Sequence, residues 1–288
     1  MTVLKNLAFP HWPRAIPVLL MLCLSGLPPS QGGEWKVEDQ STAQDPASPF
    51  VHERKLVSKA SDSGFVAAKR IDLVWFHADQ HTFRVIDNGS PVEPRYTGLS
   101  AAMIENGALA GCNGGFFLKN HQPSGLMIAE GASAGRFGQG ALLSGVVLSS
   151  GRHNPYLLRR AEYDAGKYKA TDLIQAGPFL VDQGTTVRGL SPENSRRRTF
   201  VLHDGDRWFA LGMSDAVTLA ELGEVLARAD FSPARPIHRA LNLDGGTSSG
   251  LYLNRGTAGE PLHVEPFKTV RNFLAIVPRE VVAVKKGE

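Results

Sequence analysis

Cysteine is scarce in this sequence: two residues in 288, Cys23 and Cys112. A disulfide framework of the kind that holds small secreted domains together is therefore excluded, and stability falls to a packed core, which a chain of this length can build. Charge of one sign is lacking too. Lys and Arg number 31 against 28 Asp and Glu, a net +3, and no basic stripe runs along the chain, so no nucleic-acid partner is expected. The apolar run "AIPVLLMLCLSGL", residues 15–27, falls short of the roughly 20 residues that cross a bilayer. His, Cys, Asp and Glu do not recur at the spacing of a transition-metal site. No metal or other cofactor is expected, with calcium, held by carboxylates and carbonyls, left open.

Glycine and proline are abundant by contrast, at 30 and 18, the composition of short strands joined by many loops. At the N-terminus, Lys5 and Arg14 precede the apolar run, and Pro28, Ser30 and Gly32 come after it. That order is the pattern of a signal peptide over residues 1–30, and it predicts a protein exported to the periplasm or secreted, with no stable membrane span once the segment is cleaved. An anchor kept uncleaved is the alternative. Cleavage takes away two bases and no acids, moving the net charge from +3 to +1, and leaves Cys112 alone. Residues 31–62 are polar without sustained periodicity and read as a linker or a poorly ordered arm. The folded domain is expected over residues 63–284.

Within it, "RIDLVWFH" (70–77) and "TFRVID" (82–87) read as paired strands. A helix is expected from Ser100, as N-cap, to about Asn106, with Gly107 ending it. "RTFVLHDGDRWFALGM" reads as a hairpin turning at Asp204-Gly205. Thr218 and Glu221 form a capping box before a helix whose stripe is Leu219, Leu222, Val225 and Leu226. Many strands with few helices and no regular βαβ alternation predict an α+β fold with mixed, largely antiparallel sheets in a single domain.

The stretch "LNLDGGTSSGLYLN" (241–254) admits two chemistries. Gly246-Thr247-Ser248-Ser249-Gly250 has the G-x-S-x-G spacing of a hydrolase nucleophile elbow, which needs a strand, a sharp turn and then a helix. The residues after Ser248 have strand rhythm instead, with Leu251 and Leu253 alternating against Gly250, Tyr252 and Asn254. On the strand reading, Asn242 and Asp244 share the polar face, and Gly245 and Gly246 let the backbone approach a ligand closely. Taken alone, Asp-Gly-Gly is equally an ordinary turn. "AGCNGGFF" repeats the construction with Asn113, Gly114 and Gly115, and "IQAGPFLVDQG" sets Gln175 before Gly177. In "NSRRRTFV", Arg196 and Arg198 share a strand face and Arg197 the other. A solvated basic edge is the plain reading of that run, and a guanidinium pair aimed at one anion is the functional one.

"NGGFF" with "PSGL", then "QAGPFLVDQG", "RRRTFVLHDG" and "LNLDGGTSSGLYL" occur in this order. Together they resemble the phosphodiester glycosidase family, over roughly residues 64–280. Thr247 stands where that family commonly has a third glycine. The resemblance implies hydrolysis of a sugar-1-phosphodiester at its anomeric carbon. A carbohydrate phosphodiester, of cell-envelope or exopolysaccharide origin, is then the expected substrate. Asp244 becomes the working carboxylate, as nucleophile or as base for water. Arg196 and Arg198 become the phosphate contacts, because an arginine fork suits a phosphate bidentately. Asn113, Gln175 and Ser248, with the backbones at Gly114, Gly115, Gly177, Gly245 and Gly246, become hydrogen-bonding groups for sugar hydroxyls or phosphate oxygens. Glu105, Glu130 and Asp182 are candidates for a second acid, and His121 and His203 for a ligand or acid. A non-catalytic carbohydrate-binding or exopolysaccharide-biosynthesis accessory protein on the same fold is the competing reading, since fold alone does not guarantee activity.

Overall fold

A computed structural model describes residues 34–44, 49–60, 66–151, 154–256 and 259–279. The expected signal peptide lies outside the described residues. Among them, no helix is long and apolar enough to cross a membrane.

Among the described residues, three antiparallel sheets make the fold. The large one has eight strands in the order β1 (Trp35–Gln44), β2 (Phe50–Ala60), β3 (Val66–His77), β14 (Trp208–Val217), β13 (Arg196–His203), β15 (Arg239–Asn242), β11 (Phe179–Asp182) and β12 (Thr185–Thr186). A second sheet runs β7 (Ala132–Ala134), β6 (Met127–Ala129), β10 (Asp172–Ala176), β8 (Gly145–Ser149) and β9 (Pro155–Arg159). The third runs β17 (Leu262–Val264), β16 (Leu251–Leu253), β5 (Ala110–Asn113), β18 (Asn272–Pro278) and β4 (His81–Asp87). The helices are α1 (Leu99–Glu105), α2 (Ala165–Tyr168) and α3 (Leu219–Leu226). The class is α+β, weighted heavily towards sheet.

One face of each sheet supplies a common core, including Phe76, Phe83, Ile174, Val201, Leu241 and Leu274. Alternation along each strand sends the neighbouring residues to the other face. On the large sheet these are Leu73, Trp75, Phe200 and Leu202, covered by Leu222, Val225 and Leu226 of α3. Burying each of those three side chains contributes roughly 1.5–3 kcal/mol. The expected capping box of α3 forms, with Glu221 N donating to Thr218 Oγ1 at 3.1 Å and Thr218 N to Glu221 Oε2 at 2.8 Å. Helix α1 instead covers the third sheet, through Leu99, Ala102 and Met103.

Three local expectations are corrected. The segments 70–77 and 82–87 are strands but do not pair with each other: β3 lies between β2 and β14 in the large sheet, whereas β4 lies at the edge of the third sheet beside β18, because strand partners are set by the whole sheet and not by nearness in the chain. Helix α1 begins at Leu99, and Ser100 does not cap it; the first-turn donors Leu99 N and Ser100 N go to the Glu265 carboxylate at 2.7 and 2.8 Å. A residue 165 positions away supplies the cap, so no local signal could reveal it. The stretch 31–62, expected to be a linker, carries β1 and β2, which extend the large sheet. Its polar residues hide this because they are paired inside the fold. His52 and Arg54 both contact the buried Asp72 carboxylate, at 3.0 and 2.8 Å, and Glu53 pairs with Arg235 at 3.1 Å.

Candidate functional site

Each glycine-rich motif lies where the chain leaves a sheet. "QAGPF" takes it from β10 in the second sheet to β11 in the large one, through Gly177-Pro178. "LNLDGGTSSGLYL" takes it from β15 in the large sheet to β16 in the third. "CNGGFF" is the end of β5. Three separate sequence motifs therefore meet at one seam, which β13 enters with its arginines.

The seam is stitched by backbone and amide hydrogen bonds. Asp244 N donates to Gly114 O at 3.1 Å. Asn113 Nδ2 donates to Asp244 O at 2.7 Å, while its Oδ1 accepts from Thr199 Oγ1 at 2.7 Å and Gly250 N at 3.0 Å. Gly114 N donates to Asn272 O at 2.9 Å and Gly115 N to Asn272 Oδ1 at 2.8 Å. A Cβ on Gly114 would lie 1.9 Å from Asn272 Oδ1, so glycine is required there by close approach. Asn113, Gly114 and Gly115, expected to face a ligand, spend these groups on holding the Asp244 turn in place.

Beside that turn opens a cleft of about 280 Å³. Its polar side chains include Asp244, Arg196, Arg198, Asn242, Asn194 and Glu193, and Phe116, Leu142, Pro178 and Leu219 form its apolar wall. Burial raises the Asp244 carboxyl above the ordinary aspartate range; Ser248, the Gly245 N–H at 2.9 Å and the charges of Lys268 and Arg196 oppose it. Arg198 is buried, and burial together with the Arg196 charge presses its pKa down. A guanidinium starts so high that it stays protonated. Part of its fork is already used, since Nε donates to Val217 O at 3.0 Å and Nη2 to Asn194 O at 2.6 Å. Arg196 is exposed and forms no ion pair among the described residues. A bulge breaks the β13–β14 register between these two arginines. Arg197, expected to be solvated, is half-buried and lies over the Phe267 ring at 4.3 Å.

The phosphodiester glycosidase family model matches residues 106–277. The chain belongs to the phosphodiester glycosidase family. The catalytic domain of zebrafish N-acetylglucosamine-1-phosphodiester alpha-N-acetylglucosaminidase, solved auto-inhibited by its pro-peptide, is similar in fold. It shares 15% identity at a TM-score of 0.59, covering 86% of this chain and 88% of that one. A hypothetical protein from Synechocystis aligns at 16% identity and a TM-score of 0.49, over 85% of this chain and 68% of that one. A putative exported protein from Burkholderia pseudomallei aligns at 11% and 0.47, over 86% and 97%. No curated protein sequence matches significantly.

In this phosphodiester glycosidase family member, Gln175 is far from free. Its Oε1 accepts from Gly138 N at 2.8 Å and Leu126 N at 3.2 Å, and its Nε2 donates to Gly138 O at 2.8 Å and Leu143 O at 3.2 Å. Every hydrogen-bonding position of that amide is occupied in clasping the 126–143 segment, so its expected role as a substrate contact is replaced by a structural one. Gly177 serves the seam: its carbonyl accepts from Asn242 Nδ2 at 2.9 Å, and a Cβ there would press on Ser144. Gly246 holds φ +66, and a Cβ on Gly245 would lie 2.9 Å from Arg197 O, so both positions favour glycine. Ser248 is fully buried beside the Asp244 carboxylate, and its hydroxyl makes no well-aligned hydrogen bond. It sits in a single 3₁₀ turn, residues 246–248, that leads into β16. A nucleophile elbow needs a helix there, so the serine-hydrolase reading fails on geometry.

The candidate second acids lie elsewhere. Glu105 is exposed at the end of α1, Glu130 pairs with Arg84, and Asp182 pairs with Arg159 at 2.8 Å. Glu193 stands in the cleft instead. Its only sequence signal is proximity to the arginines. His203 lies at the far end of β13 from Arg196, and His121 packs at a tilt against Phe117, 4.6 Å between ring centroids. Cys112 is packed in the common core, where burial pushes its thiol pKa far up. Among the described residues, no group of three or more His, Cys, Asp or Glu is placed to hold a metal ion.

Proposed function

We propose that this protein is an exported hydrolase that cleaves the glycosidic bond of a sugar-1-phosphodiester in cell-envelope or exopolysaccharide material. The observation that carries the reading is one half-buried carboxylate, Asp244, in the same cleft as the two arginines Arg196 and Arg198. Family membership supports the reaction type.

In that reaction the bond between the anomeric carbon and the phosphate oxygen breaks, and its electron pair leaves with the phosphate. Asp244 either attacks the anomeric carbon or takes a proton from the water that does. The water oxygen ends on the sugar and the leaving group becomes a phosphomonoester. Negative charge grows on the phosphate as the bond opens, so cations held there act more strongly in the transition state than before it. A phosphate leaves more readily than an alcohol, which lightens the demand on a second acid. Glu193 is positioned in the cleft for whatever proton transfer remains.

The test is turnover of a panel of methyl sugar-1-phosphodiesters by the purified protein, monitored as release of free sugar and methyl phosphate. Hydrolysis abolished by Asp244→Asn supports the reading. Tight sugar-phosphodiester binding with no turnover on the whole panel replaces it with a binding protein.

A further inference from the structure

The loop from Glu265 to Val270 carries no sequence motif, yet it forms the other flank of the Asp244 turn. It is fixed at both ends. Glu265 accepts from Leu99 N and Ser100 N, and Val270 O accepts from Asn88 Nδ2 at 3.0 Å. Its middle is tied to the turn itself, with Phe267 N donating to Thr247 O at 2.8 Å. A Cβ on Gly250 would lie 2.7 Å from Pro266 Cδ, so the two segments are in close contact. Lys268 rises from this fixed loop, exposed, with Nζ 4.8 Å from the centroid of Phe117. Phe116, next in the chain, lines the Asp244 cleft.

On the opposite flank, a Cβ on Gly246 would lie 3.6 Å from Arg196 Cδ. The turn is thus bracketed by Arg196 and Lys268. Neither has an ion-pair partner among the described residues, whereas Arg198 has committed part of its fork to backbone carbonyls. Both free cations act on the Asp244 carboxylate. Around the turn the cations Arg196, Arg197, Arg198 and Lys268 outnumber the carboxylates Asp244 and Glu193, so the balance there is positive.

We infer that Lys268 is a substrate-binding residue, and that Arg196 and Lys268 together seat the singly charged phosphate of the substrate across the Asp244 turn. Arg198 then acts as a positioning residue that holds Asn194 and the end of β14. The division comes from the chemistry of the two side chains. Arg196 offers a planar fork, while Lys268 is a compact charge on a flexible stem that can track the phosphate as it departs. This inference rests on the proposed reaction for its biological substrate but not for its test.

Dimethyl phosphate is a phosphodiester monoanion without a sugar, and trimethyl phosphate is its uncharged counterpart. Binding of each to the full protein is measured by calorimetry at low salt, for wild type, Lys268→Ala, Lys268→Arg, Arg196→Ala and Lys36→Ala. Dimethyl phosphate affinity should fall at least about fivefold in Lys268→Ala and Arg196→Ala, as expected on losing one charge-assisted contact. Lys268→Arg should restore most of it, Lys36→Ala, an exposed lysine on β1, should leave it near wild type, and trimethyl phosphate should bind equally weakly to all. Unchanged dimethyl phosphate affinity in Lys268→Ala overturns the inference, and so does an equal loss for trimethyl phosphate. Where sugar-1-phosphodiesters are hydrolysed, Lys268→Ala should lose more kcat/KM on them than on the aryl glycoside of the same sugar, and equal losses again overturn it. Selective dimethyl phosphate binding with no hydrolysis of any sugar-1-phosphodiester leaves the anion seat standing and removes the proposed reaction instead.

Discussion

Asn113 Nδ2 donates to the backbone carbonyl of Asp244 at 2.7 Å, across the seam between the third sheet and the large one. With Thr199 Oγ1 and Gly250 N on its other end, this one amide fixes the turn that carries the carboxylate. Asn113→Ala would leave three polar groups without their partner in a buried site, each costing about 1–3 kcal/mol. Unfolding in urea should show a loss of several kcal/mol. In protein that still folds, kcat/KM should fall even though Asn113 need not touch substrate. Wild-type stability in Asn113→Ala would remove its role as the stitch.

Asp244→Asn should reduce turnover of a sugar-1-phosphodiester at least about a hundredfold, the low end for a positioned acid–base group. It should also raise Tm at neutral pH. Burial holds the folded-state pKa of Asp244 above its unfolded value, so the folded protein carries a destabilising charge above that folded pKa. As pH falls through the window between the two values, the folded state takes up its proton first and wild type gains stability. The advantage of Asn should therefore be largest at neutral pH and vanish below the unfolded pKa. Melting curves of both proteins over this range check it; a Tm for Asp244→Asn that stays below wild type at neutral pH counts against a carboxylate held at a cost.

The same shift sets the acid limb of activity. A carboxylate that must be charged stops working as pH falls through its folded pKa, so kcat/KM should decline at a pH above the usual aspartate value of about 3.9. Arg196 favours the charged form, and Arg196→Ala should move that limb to higher pH. An acid limb at or below the ordinary value, or one that Arg196→Ala leaves in place, would show that another group controls it.

Ser248→Ala should keep measurable activity. The hydroxyl lies beside the Asp244 carboxylate without a well-aligned hydrogen bond, so its removal should cost at most the roughly 1.5–3 kcal/mol of a contact to a charged group, and the geometry around it lacks the helix of a nucleophile elbow. A fluorophosphonate should leave the folded protein unlabelled. Inactivation of Ser248→Ala together with a covalent adduct on Ser248, seen by mass spectrometry, would restore the serine-hydrolase reading.

The features legible in the sequence are those that depend on near neighbours. Alternation in "RIDLVWFH" and "RTFVLHDGDRWFALGM", and the Thr218–Glu221 box, place β3, the β13–β14 hairpin and α3 because pleat, turn and cap are set within a few residues. The ordered glycine motifs mark the right segments for the same reason: a backbone that must pass close to another shows its glycines in the chain. Whether an amide in such a motif meets a ligand or another strand is not a local property. Asn113 and Gln175 look alike beside their glycines, and only the tertiary structure commits both to the protein's own backbone. Polar strands β1 and β2 resemble a linker because the partners of His52, Arg54 and Glu53 lie far along the chain. Arg196 is visible as part of an arginine run, whereas Lys268 carries no motif. Charge acts through space without regard to chain order, so a lysine 24 residues beyond Asp244 enters the site only when the fold brings the Glu265–Val270 loop against the turn.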